Sequence, residues 1–137
     1  MSFVRPTGLA GLMLTCVLSA LPGNARAFEL SGAWSTAAEA CNSVFATKDG
    51  QVVFTELSDL YGSGFVVNSD RIQGKAVKCT IDSTKQDGNR VQLSAACATT
   101  IMTQNVKFNL TFIDDNTIDR TVEEVPGMNI KYFRCKL

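Results

Sequence analysis

The chain has 137 residues, with 13 basic and 13 acidic side chains and no histidine. A chain of this length is most simply one domain, and its balanced charge gives no clustered basic face for nucleic acid or anionic lipid. Hydrophobic residues make up 45% of the chain, which excludes disorder and allows a buried core.

The first 27 residues have the pattern of a secretory signal peptide. Arg5 supplies a positive charge, residues 9–21 form an almost unbroken apolar run, and Ala25 and Ala27 are the small residues that a signal peptidase reads. The alternative, a membrane anchor, needs roughly 20 apolar residues, and this run is shorter. We therefore expect residues 1–27 to be removed. The mature domain would be residues 28–137, in the periplasm or secreted, without a transmembrane anchor.

Export changes what the cysteines predict. Cys16 falls within the leader, which leaves four cysteines in the mature segment: Cys41, Cys79, Cys97 and Cys135. An even number in an oxidising compartment predicts two disulfides. A metal site is disfavoured, because no pair has C-x-x-C spacing and no histidine could complete a zinc set.

Residue usage predicts an all-β domain. Residues 28–137 contain 27 β-branched residues against 6 leucines, and apolar and polar residues alternate through 77–82, 91–97 and 106–112. Turn sequences separate these runs, so we expect about seven to nine short strands in an antiparallel meander, closed as a barrel or packed as a sandwich. Residues 36–46 are compatible with one short helix capped by Thr36.

A hairpin in the middle of the chain predicts how the cysteines pair. Cys79 and Cys97 share the parity of their apolar neighbours, so both point inward. A loop of five residues would place them directly opposite each other, as a disulfide requires, and a loop of three residues would leave them one step diagonal. Cys41 would then pair with Cys135 by exclusion. The alternative pairs Cys41 with Cys79 and Cys97 with Cys135.

Few groups are available for catalysis. Without histidine, neither a Ser-His-Asp nor a Cys-His arrangement can form within one chain, and paired cysteines leave no thiolate nucleophile. No nucleophile elbow or phosphate-binding glycine motif is present. A hydrolase using only carboxylates is a minor alternative, with Glu56, Asp59 and Glu123 as candidates. We expect a protein that is not an enzyme and uses no cofactor.

Arg120 is the most informative polar residue, because it has the same parity as Ile118 and Val122 on the apolar face of its strand. A guanidinium that points inward must be paired or stacked. Either it stacks on Trp34 or bonds to carbonyls at an open barrel end, or it meets an anionic ligand in an interior cavity.

Aromatic side chains supply the other candidate binding residues. A lone tryptophan in a small β domain, here Trp34, is usually part of the core. Tyr61 and Phe65 flank the loop Gly62-Ser63-Gly64. They would either cover the end of the barrel or form an exposed contact surface.

The segment Leu30-Ser31-Gly32-Ala33-Trp34 resembles the first strand of the calycin barrels, the superfamily of lipocalins and small periplasmic metalloprotease inhibitors. In that family a glycine-x-tryptophan motif packs under a basic residue of the last strand. The matching positions here are Gly32, Trp34 and Arg134. The resemblance, which covers only these few residues, implies a barrel with this packing between its first and last strands.

The alternation of the last strand, residues 130–137, bears on the resemblance. Alternation predicts that Phe133, Cys135 and Leu137 face inward, which would leave Arg120 as the partner of the tryptophan. The order of motifs along the chain also resembles small exported bacterial proteins with four cysteines, and that resemblance implies no mechanism.

These observations lead to two functional hypotheses. The first is an exported, non-catalytic binding or interaction module, such as an inhibitor of a secreted or periplasmic hydrolase, that contacts an extracytoplasmic protein through loops 57–64 and 123–128. The second is a carrier of a small apolar or anionic ligand. A cavity lined by Phe54, Phe108 and Phe112 would favour the carrier, whereas a filled interior with Arg120 on Trp34 would remove it.

Overall fold

The computed structural model of the protein describes Phe3 and residues 27–137. The predicted signal peptide, including Cys16, therefore lies almost wholly outside the described residues. In the described part of the chain, no helix has the length and apolar character needed to cross a membrane.

Strands dominate residues 27–137, as the β-branched composition predicts. They are Gly32–Ser35 (β1), Phe45–Lys48 (β2), Gln51–Phe54 (β3), Gly64–Asn68 (β4), Arg71–Gln73 (β5), Lys78–Asp87 (β6), Arg90–Ala98 (β7), Thr103–Asp114 (β8), Thr117–Thr121 (β9) and Asn129–Cys135 (β10). Eight of them close into an antiparallel barrel in the order β1-β10-β9-β8-β7-β6-β5-β4, and β2 and β3 form a separate hairpin. The prediction of an all-β meander is confirmed, and the barrel rather than the sandwich is formed.

The short helix expected near residues 36–46 is present. A 3₁₀ turn at Ala38–Ala40 leads into a single α-helical turn, Cys41–Val44 (α1), and another 3₁₀ turn covers Ser58–Leu60. The expected cap is absent from the first helical segment, because the Thr36 hydroxyl donates instead to the Ser63 carbonyl at 3.2 Å. Beyond residue 44 the chain enters β2 rather than continuing as helix.

Connections alternate between the two ends of the barrel, because each strand runs antiparallel to the next. Segment 36–63 leaves β1 and enters β4 at one end, which also carries the loops 74–77, 99–102 and 122–128, and we call it the loop end. The other end carries the tight turns 69–70, 88–89 and 115–116, together with the entering segment 27–31, and we call it the closed end.

Aromatic side chains fill the closed end. Phe28 stacks on Phe112 with ring centroids 4.6 Å apart, and Trp34 meets the edge of Phe112 at 6.2 Å. Trp34 is fully buried, and its indole N–H donates to the Leu30 carbonyl at 2.9 Å. Residues 28–34 therefore form the floor of the barrel.

Arg134 completes this floor. Its Cζ lies 4.3 Å from the centre of the Trp34 ring, and its Nη1 donates to the Ser31 carbonyl at 2.7 Å. Gly32 is needed here, because it has a φ of +125° and a Cβ would lie 3.2 Å from Arg134 Nη1. The closed end thus brings together the glycine, the tryptophan and the late arginine of the motif quoted above.

The inward set predicted for the last strand is wrong. Tyr132 belongs to the barrel core and Arg134 covers Trp34, so the even positions of β10 face inward. Cys135 belongs to a second apolar cluster with Cys41, Val44 and Phe45, on the outer face of the strand. Alternation misleads at this strand because both of its faces pack against apolar residues.

Both disulfides have the preferred pairing. Cys41 bonds to Cys135 with Cα atoms 5.6 Å apart, and Cys79 bonds to Cys97 with Cα atoms 4.0 Å apart. The alternative pairing is therefore excluded. The first disulfide ties α1 to the last strand, and the second crosses the β6–β7 hairpin.

The register that brings Cys79 opposite Cys97 does not come from a five-residue loop. β6 and β7 pair up to Asp87 and Arg90, which leaves a turn of only two residues. In that register alone Cys79 would face Ala98. A β-bulge between Ile81 and Ser83 shifts the pairing by one residue and restores the Cys79–Cys97 pair.

Candidate functional site

A cavity of about 140 Å³ lies inside the barrel. Its lining comes from seven of the eight barrel strands and the segments beside them: Leu30, Gly64, Phe65, Ile72, Gly74, Val77, Cys79, Leu93, Phe108, Leu110, Arg120 and Tyr132. Alternate residues of a strand face the same side, and the lining side chains on the strands belong to the side that faces the barrel interior. Among these described residues, Arg120 is the only one with a charged side chain. The cavity is therefore an apolar space with one cation in its wall.

Trp34 lies below this cavity and does not line it. Phe65 stacks on Trp34 at 6.4 Å and meets Tyr132 edge-on at 4.9 Å, so the two rings of the lining separate the tryptophan from the cavity. With no exposed surface and Arg134 over its ring, Trp34 is a core residue. Of the candidate binding residues Trp34, Tyr61 and Phe65, only Phe65 lines the cavity.

Arg120 does not stack on Trp34, contrary to one of the two interpretations of its parity. Arg134 takes that position, and the Arg120 Cζ lies 4.9 Å from the centre of the Phe108 ring. The Arg120 Nε is buried, and the described residues provide no hydrogen-bond acceptor for it. Stacking on Phe108 is thus the contact that holds the guanidinium in place. The Nε–H of Arg120 remains a hydrogen-bond donor without an acceptor.

A wider groove of about 530 Å³ adjoins the cavity on the side of the loop end. Val77, Cys79, Phe108 and Arg120 line both spaces, so the guanidinium lies where the cavity meets the groove. The groove also contains polar and charged residues: Gln104, Asn105, Lys107, Glu123 and Glu124. A ligand that enters from the groove would pass Arg120 before it reached the apolar interior.

The acidic neighbours of Arg120 do not neutralise it. Glu123 Oε1 accepts a hydrogen bond from Asn109 Nδ2 at 2.5 Å, which directs this carboxylate toward β8. In the part of the chain that the structure describes, no carboxylate lies within ion-pair distance of Arg120. The positive charge is therefore available to a ligand.

Other predicted positions lie elsewhere. Tyr61 is 50% exposed at the loop end and is not part of the cavity lining. Phe54 packs on Phe45 at 5.0 Å in the outer cluster, and Phe112 belongs to the closed end. Of the three phenylalanines expected to line a cavity, only Phe108 does so, because β3 belongs to the outer hairpin rather than to the barrel.

The carboxylates considered for hydrolysis have separate surroundings. Asp59 forms an ion pair with Lys75 at 2.8 Å, and the same ammonium group donates to the backbone carbonyl of Glu56. At the closed end, the backbone N–H of Ser31 donates to Glu29 at 2.8 Å and lowers the pKa of that carboxyl group. Within residues 27–137 no group of three acidic or cysteine side chains is placed to hold a metal ion.

Several lining residues were not singled out from the sequence. Ile72 and Leu93 follow the alternation of their strands, so the pattern marks them as core but cannot tell a cavity wall from a filled interior. Tyr132 was missed because the parity of β10 was assigned to the wrong face. Comparison with protein-family models, with curated proteins and with solved structures finds no match to this chain.

Proposed function

We propose that the protein is an exported, non-catalytic binding module that takes a small ligand into the barrel cavity from the loop end. The observation that carries this proposal is the cavity itself, an apolar space next to a buried guanidinium nitrogen without an acceptor. Its volume of about 140 Å³ is close to the engineered apolar cavity of about 150 Å³ that binds benzene. A ligand of similar size would fill it, whereas drug-sized molecules need about 300 Å³ or more.

Two features support export. Disulfides persist in oxidising compartments, and this domain contains two disulfide bonds. The first 27 residues have the charge, apolar run and small-residue site of a signal peptide. We therefore propose a periplasmic or secreted location for the binding module.

The test of the cavity site uses benzyl alcohol as a probe with the purified, oxidised protein. We expect saturable binding by titration calorimetry, with NMR shifts concentrated on the methyl groups of Ile72 and Leu93, which line the cavity. Val77→Phe places a larger side chain where cavity and groove meet, and should abolish these shifts. Val125→Phe is the matched control, because Val125 is 48% exposed on the loop end and does not line the cavity. Shifts scattered over the outer surface, or equal binding by both variants, would contradict the proposal.

A second function is favoured by a different observation at the loop end. Leu57, Leu60 and Tyr61 are 58%, 75% and 50% exposed, and they lie together on the segment between β3 and β4. Val125 and Met128 are exposed on the β9–β10 loop at the same end. Exposed apolar groups concentrated at one end are typical of a protein interaction surface, as an inhibitor of a secreted or periplasmic hydrolase would need.

This second function has its own test. The oxidised protein is immobilised, exposed to an extracytoplasmic extract, and any retained hydrolase is assayed with increasing amounts of the free protein. Leu60→Ser should lose both retention and inhibition. Ile113→Ser is the matched control, because Ile113 is 56% exposed near the closed end. Recovery of chaperones alone would count against the inhibitor.

A further inference from the structure

We infer that the ligand of the cavity is a small apolar monocarboxylate, whose carboxylate is bound by Arg120 and whose apolar body fills the barrel interior. The inference rests on the proposed binding site and adds the chemical class of its ligand. It depends on the charge, the geometry and the size of the site, which are independent observations.

The charge of the site calls for an anion. Arg120 is partly buried, and burying a guanidinium N–H without an acceptor is costly, as is the case for its Nε. Arg134 shows how this chain satisfies a guanidinium for structural purposes, with acceptors at Ser31, Glu29 and Asp115. Arg120 receives no such acceptors from the described residues, and Glu123 is engaged by Asn109. An anionic ligand would supply both a negative charge and the hydrogen-bond acceptor that the described residues do not provide.

The geometry of Arg120 leaves the edge of the guanidinium for the ligand. The Phe108 ring packs against the guanidinium, with Cζ 4.9 Å from its centroid, and so restricts the side chain. The N–H groups of arginine point outward in the plane of the guanidinium, where a carboxylate can accept two of them side by side. One of these donors, the Nε–H, is the buried group without an acceptor.

The size and lining of the cavity determine the rest of the ligand. Beyond Arg120 the wall consists of apolar side chains such as Ile72, Leu93 and Leu110, each at most 8% exposed. A space of about 140 Å³ suits a body of about six carbons, as in benzoate or hexanoate, by comparison with the benzene-sized cavity. A second charge on the ligand would be left in apolar surroundings, so a monoanion is expected rather than a dianion.

The decisive experiment compares benzoate with benzyl alcohol, two probes of similar size that differ in charge. Titration calorimetry of the oxidised protein should give about tenfold tighter binding of benzoate, the gain expected from charge-assisted hydrogen bonds. Arg120→Met should remove this preference, so that benzoate binds no more tightly than benzyl alcohol. Arg71→Met is the control for net charge, because Arg71 is exposed on β5 beside a closed-end turn, and it should retain the preference.

An NMR measurement on the unaltered protein keeps the inference testable if Arg120→Met does not fold. The Arg120 Nε–H resonance should move downfield with benzoate and stay in place with benzyl alcohol. Absence of binding by both probes would refute the cavity site and with it the proposed function. Equal binding of the two probes, or a preference that survives Arg120→Met, would overturn the carboxylate inference and leave the cavity site standing.

Discussion

Arg134 offers the sharpest test of how the closed end is held together. Its guanidinium donates to three backbone carbonyls, at 2.7 Å to Ser31, at 3.0 and 3.1 Å to Asp115, and to Glu29, while it covers the Trp34 ring. Arg134→Met keeps a side chain of similar length over the tryptophan but removes all of these donors. The carbonyls of the entering segment and of the β8–β9 turn would then lose their partners.

The expected cost can be worked out from these contacts. A hydrogen bond to a charged group contributes about 1.5–3 kcal/mol when buried. Because Arg134 is half-buried and water can replace part of each bond, we assign about 1 kcal/mol to each carbonyl. The cation–π contact adds about 0.5–1 kcal/mol. The free energy of unfolding should therefore fall by about 3–4 kcal/mol, which lowers the Tm by roughly 12–16 °C in a domain of this size.

Urea unfolding of the oxidised protein, followed by tryptophan fluorescence, measures this loss directly, since Trp34 is the only tryptophan. Arg120→Met is the matched control, because the same substitution there removes a guanidinium whose buried Nε has no hydrogen-bond partner among the described residues. We expect it to change the free energy of unfolding by less than about 1 kcal/mol, since the lost stacking on Phe108 is offset by removal of a buried N–H that has no acceptor. Equal costs for the two variants would refute the reasoning.

Three further predictions concern the covalent and steric constraints on the barrel. Replacing both cysteines of Cys41–Cys135, separated by 94 residues, should cost about 4.7 kcal/mol in urea unfolding, against about 3.2 kcal/mol for Cys79–Cys97, separated by 18, because the longer loop has more entropy to lose; the reverse order would contradict the loop-entropy account. Gly64→Ala should lower the free energy of unfolding by about 1–3 kcal/mol, because the new Cβ would lie 2.3 Å from a backbone oxygen of β1, and an unchanged urea midpoint would show that the two strands can separate freely. Intact mass analysis of the exported protein should give one species that begins at residue 28 and does not react with a thiol reagent until it is reduced, whereas a retained leader or two reactive thiols would disprove the export and disulfide assignments.

Local patterns in the sequence were sufficient for the class of fold and for the expectation of two disulfides. Strand alternation has a period of two residues, so each run can be identified without knowledge of its neighbours. The same parity places Cys79 and Cys97 on one face of a hairpin, and the pairing of Cys41 with Cys135 follows once those two are joined. The assignment of strands and of the inward face of Cys79 and Cys97 depends on short stretches of chain, whereas the pairing of Cys41 with Cys135 was reached only by exclusion.

Only the tertiary structure decided which face of β10 is inside, because the outer cluster around Cys135 makes that face apolar as well. It also decided the hairpin register, since a bulge at residue 82 has no clear sequence signal and moves the pairing by one residue. The aromatic ring on which Arg120 stacks was also decided by the tertiary structure. Arg134 already covers Trp34, so Arg120 stacks on Phe108 beside the cavity. Such contacts depend on how distant strands pack together, and the periodicity of any one strand carries no information about them.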